Sequence, residues 1–152
     1  MKEIFILLTS LWGIFTTARA QTAEDSAKAV VHKLFEGMKK ADGEMVKSAF
    51  ADSAILQTIV RNREGQIIVR SEQVQRFAEI VGSQQGGDLD ERIQFDVVKV
   101  DGPLASVWTP YKFYFKGQFS HCGVNSFQLV RVNGEWKIQY LIDTRRRNDC
   151  GE

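Results

Sequence analysis

Residues 104–145 read LASVWTPYKFYFKGQFSHCGVNSFQLVRVNGEWKIQYLIDTR. Apolar and polar side chains alternate through most of this stretch, the period of strands buried on one face. Asn133-Gly134 is a strong two-residue hairpin signal, and Gly117-Gln118 marks a second turn. The reading is three long strands, Leu104–Lys116, Phe119–Val132 and Glu135–Arg145. A fourth, Glu91–Val100, precedes them across Asp101-Gly102-Pro103, which makes a four-stranded antiparallel meander.

The turns predict which side chains share a face. Pairing Val132 with Glu135 and Lys116 with Phe119 gathers Trp108, Tyr114, His121, Asn125, Phe127, Leu129, Trp136, Ile138, Tyr140 and Ile142 on one side. The other side receives Val107, Thr109, Tyr111, Phe113, Cys122, Ser126, Gln128, Gln139, Leu141, Asp143 and Arg145. A slip of one residue would exchange these sets for a whole strand. Helices are expected over the first, aromatic face. The second is half polar yet holds four large apolar residues, which predicts a homodimer packed sheet to sheet.

Upstream, Thr22-Ala-Glu-Asp25 is an N-cap signature, followed at helical spacing by Ala27, Val30, Val31, Leu34, Phe35 and Met38. That helix should stop near Ala41-Asp42-Gly43, where Asp42 can cap a second, short one with Met45, Val46, Ala49 and Phe50 inward. Ala54–Arg61 and Gln66–Arg70 read as a hairpin turning at Glu64-Gly65. Ser71 is expected to cap a third helix, with Val74, Phe77, Ala78 and Val81 apolar, ending at Gly82; Ser83–Asp90 reads as a loop. Three helices on one side of an antiparallel sheet make an α+β domain.

At 152 residues the chain is long enough for one domain. Its first twenty residues read as a leader: Lys2, an apolar run from Ile4 to Phe15, then Ala18-Arg19-Ala20. The run would make a helix of about 18 Å against about 30 Å of bilayer hydrocarbon, so cleavage after Ala20 is expected rather than an anchor. The predicted mature domain is 21–152, exported to the periplasm or beyond and free of the membrane. It would carry 18 basic and 18 acidic side chains. That balance offers no basic face for nucleic acid. The one basic run, Arg145-Arg146-Arg147, reads as a solvated strand end. In an oxidising compartment Cys122 and Cys150 can form a disulfide; the other reading is a buried Cys122 and a reactive Cys150.

The motifs of common chemistries are missing. His121 and Cys122 adjoin on a strand and point to opposite faces, so they make no dyad. His32 and His121 give no metal-ligand spacing, and His32 reads as an exposed helix residue. Neither a G-x-S-x-G turn nor a phosphate or dinucleotide loop occurs, and no cofactor is expected. A pocket is still predicted, with Trp108, Tyr114, His121, Asn125, Phe127 and Tyr140 around an amphipathic small molecule. Trp108, Phe127 and Tyr140 also fit a core packed under Phe35 and Met38. His121 and Asn125 need partners or a ligand on an apolar face.

The element order, together with Ala105-Ser-Val-Trp-Thr-Pro-Tyr111, His121-Cys-Gly123, Phe127-Gln-Leu-Val-Arg131 and Gly134-Glu-Trp-Lys-Ile138, resembles the nuclear transport factor 2-like superfamily. The last stretch is similar to the final hairpin of its putative lumazine-binding and SnoaL-like subfamilies. The resemblance implies a cone of helices over a curved antiparallel sheet, a pocket between sheet and first helix, and a dimer. It implies no single chemistry, because the fold serves isomerases, cyclases, hydrolases, dehydratases and silent binders. The steroid-isomerase branch needs an acid near the first strand, and Ala54–Val60 has none; Asp143 is expected on the face opposite Tyr114 and His121. Three readings follow: a noncatalytic small-molecule-binding or accessory domain, an enzyme of this fold using His121 as base, or a structural homodimer with a filled cone.

Overall fold

A computed structural model describes residues 22–151; the expected leader, 1–20, lies outside the described residues. Helix α1 (Ala23–Lys40) begins where the Thr22 hydroxyl accepts the Asp25 N–H and ends at Ala41, a left-handed residue. Helix α2 (Gly43–Ala49) is capped by Asp42, and strand β1 (Phe50–Arg61) follows it directly. Strand β2 (Ile67–Glu72) runs through Ser71, so helix α3 (Val74–Gly82) starts later than expected, on Gln73 and without a side-chain cap. The remaining strands are β3 (Leu89–Ile93), β4 (Val97–Asp101), β5 (Leu104–Phe115), β6 (Gln118–Val132) and β7 (Glu135–Thr144).

The strands form one sheet in the order β2-β1-β7-β6-β5-β3, with β4 also paired to β5. The sheet is mixed rather than antiparallel throughout, because β1 runs parallel to β7. The helices cover one face. Ala27, Val31 and Leu34 of α1 and Val46 of α2 pack with Val107, Phe127, Leu129 and Ile138 of the sheet, all at most 1% exposed. Burying a side chain such as Phe127 contributes about 1.5–3 kcal/mol.

Three irregularities reset the faces. Val132 pairs with Glu135 as expected, but a bulge leaves Gln139 unpaired, so Phe127 faces Leu141 and Asn125 faces Asp143. In β6 a bulge at Ser120 sets Phe113 opposite His121, while Tyr114 pairs with Phe119. The turn there is Lys116-Gly117, with φ of 51° and 77°, the double positive φ of a type I′ hairpin. The predicted long strand Glu91–Val100 is broken at residues 94–96, opposite Pro110, which has no N–H for the ladder. Each extra residue flips every side chain beyond it to the other face.

The helix-covered face therefore carries Val107, Thr109, Tyr111, Phe113, Leu141 and Asp143, which the regular registers had placed outside. Trp108, Tyr114, Tyr140 and Ile142 are turned to the uncovered face. Gly123 lies between His121 and Asn125, where the end of β7 passes close by. A Cβ there would overlap the Thr144 carbonyl oxygen and come within 2.9 Å of Tyr111 Cε1. Gly123→Ala is expected to cost the upper part of the roughly 1–3 kcal/mol typical of overpacking, read as a lower urea midpoint at unchanged slope.

Candidate functional site

Between α1 and the covered face lies a cavity of about 380 Å3. Ligand pockets run from roughly 300 to 1,000 Å3. Leu34, Phe35 and Met38 from α1, Leu56 from β1, Phe77 from α3 and Leu141 from β7 make its apolar wall. Its polar lining includes Thr58, Glu91, Asn125, Asp143 and Arg145. A filled cone would leave no such space.

The polar groups form two connected sets. Asn125 Nδ2 donates to Glu91 Oε1 at 2.8 Å and lies 3.4 Å from Thr109 Oγ1. Asp143, 7% exposed, accepts at Oδ2 from the Tyr111 hydroxyl (3.0 Å) and from Arg145 Nε (2.9 Å). The Tyr111 hydroxyl also reaches the Thr144 carbonyl at 2.9 Å, and Arg145 Nη2 reaches Thr58 Oγ1 at 3.3 Å. Hydrogen-bonding of this kind is what makes polar groups tolerable on a covered face.

Burial pushes the Glu91 carboxyl up to about 7, with the Asn125 amide opposing the rise and the Asp143 charge adding to it. Glu91 is thus divided between acid and carboxylate near neutrality, able to donate to or accept from a molecule in the cavity. Burial also raises the Tyr111 hydroxyl, helped by Asp143 and Glu91, so it stays protonated and donates. Arg145, whose side chain is 49% exposed, closes the same wall with a fixed positive charge.

Of the six residues predicted around a ligand, Asn125 lines the cavity. Phe127 is fully buried beneath it, its ring 6.2 Å from that of Phe35. His121 shares the covered face but lines a separate groove at the end of β7. Its imidazole contacts Tyr111 and Phe113, and its Nδ1 lies 3.0 Å from Ser120 Oγ. Burial, then Arg145 and Arg147, lower its pKa against the pull of Asp143. The other three do not meet these: Trp108 is 44% exposed, Tyr114 packs on Phe119, and Tyr140 donates to Gln57 Oε1. Sequence reasoning missed Glu91, Tyr111 and Arg145 as site residues and set Asp143 on the wrong face. Cys122 and Cys150 are bridged, with Cα atoms 5.6 Å apart. Among the described residues no helix is long and apolar enough to cross a membrane.

An α+β cone with a polar-floored cavity under its first helix defines the class of protein. The chain belongs to the family described as Putative lumazine-binding, which residues 22–140 match. No curated protein matches the sequence. Among solved structures it is similar to a nuclear transport factor 2-like protein of unknown function from Shewanella baltica OS155, at 18% identity and a TM-score of 0.64, over 81% of this chain and 93% of that one. A protein with a cystatin-like fold from Nostoc punctiforme PCC 73102 is similar at 13% identity and a TM-score of 0.65, over 84% and 95%. A third, from Silicibacter pomeroyi DSS-3, shares 16% identity with a TM-score of 0.61, over 80% and 93%. At these identities the likeness is one of fold.

Proposed function

We propose that the chain is an exported domain that binds a small molecule in the cone cavity. The observation that carries this is the cavity itself: one apolar wall, with Glu91–Asn125 and Asp143–Arg145 facing into the same space. The ligand chemistry that fits is a compact, largely apolar body bearing both hydrogen-bond donors and acceptors. Export is supported by the N-terminal residue pattern and by the Cys122–Cys150 bridge, which persists in oxidising compartments.

Native mass spectrometry of protein purified from its own exported fraction tests the reading. One small mass per chain is expected, lost in Glu91→Gln and retained in Trp108→Ala. Loss of the adduct from the Trp108 variant alone would move the ligand to the uncovered face and overturn the cone reading. A mature mass that does not begin at Gln21 would count against cleavage after Ala20.

An enzyme of the same fold is the second reading, favoured by one observation. A carboxyl near 7 inside a cavity suits proton transfer, and the group placed to do it is Glu91 rather than His121. Dimerisation belongs to the same proposal. Val97, Leu104, Trp108 and Val132 on the uncovered face are each 41–50% exposed, a surface that a second copy would cover. Trp108→Asp is expected to convert the dimer to monomer by sedimentation, with the far-ultraviolet spectrum unchanged; an unchanged mass would remove this surface from the interface.

A further inference from the structure

Strand β7 stops at Thr144, while β1 runs on through Arg61 and β6 begins seven residues before its first pairing with β7 at Asn125. The space left at the end of β7 is an open groove of about 630 Å3. Arg61 borders it from β1, His121 from β6, and Arg145, Arg146 and Arg147 from the segment leaving β7. No acidic residue is among its lining.

The backbone that carries three of these cations is held in place. Cys122 and Arg146 exchange backbone hydrogen bonds of 2.9 Å in both directions, and the Cys122–Cys150 bridge ties down the chain beyond. Arg61 Nη1 donates to the Gly65 carbonyl and Arg146 Nε to that of Asp149, at 2.8 and 2.9 Å, so neither charge is neutralised. Arg147 makes no hydrogen bond or ion pair with another described residue. Among the described residues, Arg145 alone of these has a carboxylate partner, Asp143. Guanidinium groups bordering one groove with no acidic residue in its lining are suited to recognising oxyanions.

We propose that this groove is an oxyanion-binding site, taking a sulfate, phosphate or carboxylate group between Arg61, Arg147 and His121. The site stands apart from the cone reading: it shares only Val60 and Arg145 with the cavity, and neither result decides the other. His121 would take part as a proton acceptor. Its pKa is lowered by burial and by Arg145 and Arg147, with Asp143 opposing them and Tyr111, Phe113 and Ser120 as its uncharged neighbours. An anion seated between it and the arginines offsets their repulsion, so binding draws in a proton and strengthens as pH falls.

Isothermal titration of the intact, oxidised protein with sodium sulfate tests the proposal, at ionic strength fixed with chloride. Sulfate does not titrate near neutrality, so any pH dependence belongs to the protein. Saturable binding is expected, weakened about tenfold or more in both Arg147→Ala and Arg61→Ala and unaltered in Lys99→Ala. Binding tighter at pH 5.5 than at 7.5 should lose that dependence in His121→Gln. 4-Nitrophenyl sulfate separates two sources of the anion. A tighter fit than sulfate, abolished with Arg147→Ala, assigns the groove to the charged end of a larger ligand; equal affinity assigns it to a free anion. Binding that is not saturable, or that survives Arg147→Ala and Arg61→Ala together, overturns the site.

Discussion

Glu91→Gln is expected to stabilise the protein by up to about 3 kcal/mol above neutral pH while leaving it unchanged in acid, the amount that corresponds to a rise from 4.5 to about 7. In the native state Glu91 keeps a proton that the unfolded chain gives up near 4.5. Stability from this source is therefore fully present below that value and is lost as pH rises through about 7. Above it, the native protein holds a carboxylate among Asn125, Asp143 and the apolar wall. Glutamine cannot ionise, and its carbonyl oxygen can still accept from Asn125 Nδ2 as Glu91 Oε1 does. His121 acts with the opposite sign, its lowered pKa removing stability as pH falls, but it is present in both proteins and cancels in the comparison. The measurement is urea unfolding of both proteins from pH 4 to 9. Curves that run parallel over that range would mean that the Glu91 carboxyl is solvated and that the cavity has no group poised near neutrality.

The elements of the cone were legible because they rest on local signals. Thr22 and Asp42 cap their helices as read, and Asn133-Gly134 fixes the register of the last hairpin as far as Leu129 and Ile138. The site was much less legible because it lies beyond the bulges. Strict alternation from Trp136 through Ile138 points next to Tyr140 and Ile142, whereas the chain spends Gln139 unpaired and resumes with Leu141 and Asp143. Two consecutive polar-edged residues between Ile138 and Leu141 were the available sign of that change. Ser120 does the same in β6, turning Tyr111 in and Tyr114 out. Glu91 follows from the break opposite Pro110: it faces Phe113 from β3, while in β4 it is Val98 and Val100 that face Val107 and Ala105. Bulges that re-aim side chains are placed where polar groups must enter an otherwise apolar face. Regular periodicity describes the walls of such a cavity better than its floor.

Reduction of Cys122–Cys150 should remove about 3–4 kcal/mol of stability, the loop-closure entropy of a 29-residue ring. Domains of this size are stable by about 5–15 kcal/mol, so the loss is a large fraction of the whole. Cys122 is 1% exposed, on a strand paired along most of its length, and stays put when reduced. The chain beyond Thr144 does not have that support. Its remaining ties to the sheet are the Arg145 contacts with Asp143 and Thr58 and the Cys122–Arg146 backbone pair, all before Arg147. A lower urea midpoint with dithiothreitol is expected, matched by Cys150→Ser without reductant and not lowered further when reductant is added to that variant. Sulfate affinity should fall in the reduced protein at urea concentrations well below unfolding, because Arg147 then follows the Cys122–Arg146 backbone pair with no bridge beyond it to hold the chain. Equal midpoints with and without reductant would show that the bridge adds nothing the strands do not already supply. It would also weaken the link between this bond and an oxidising compartment, since a domain equally stable without its disulfide has no need of one.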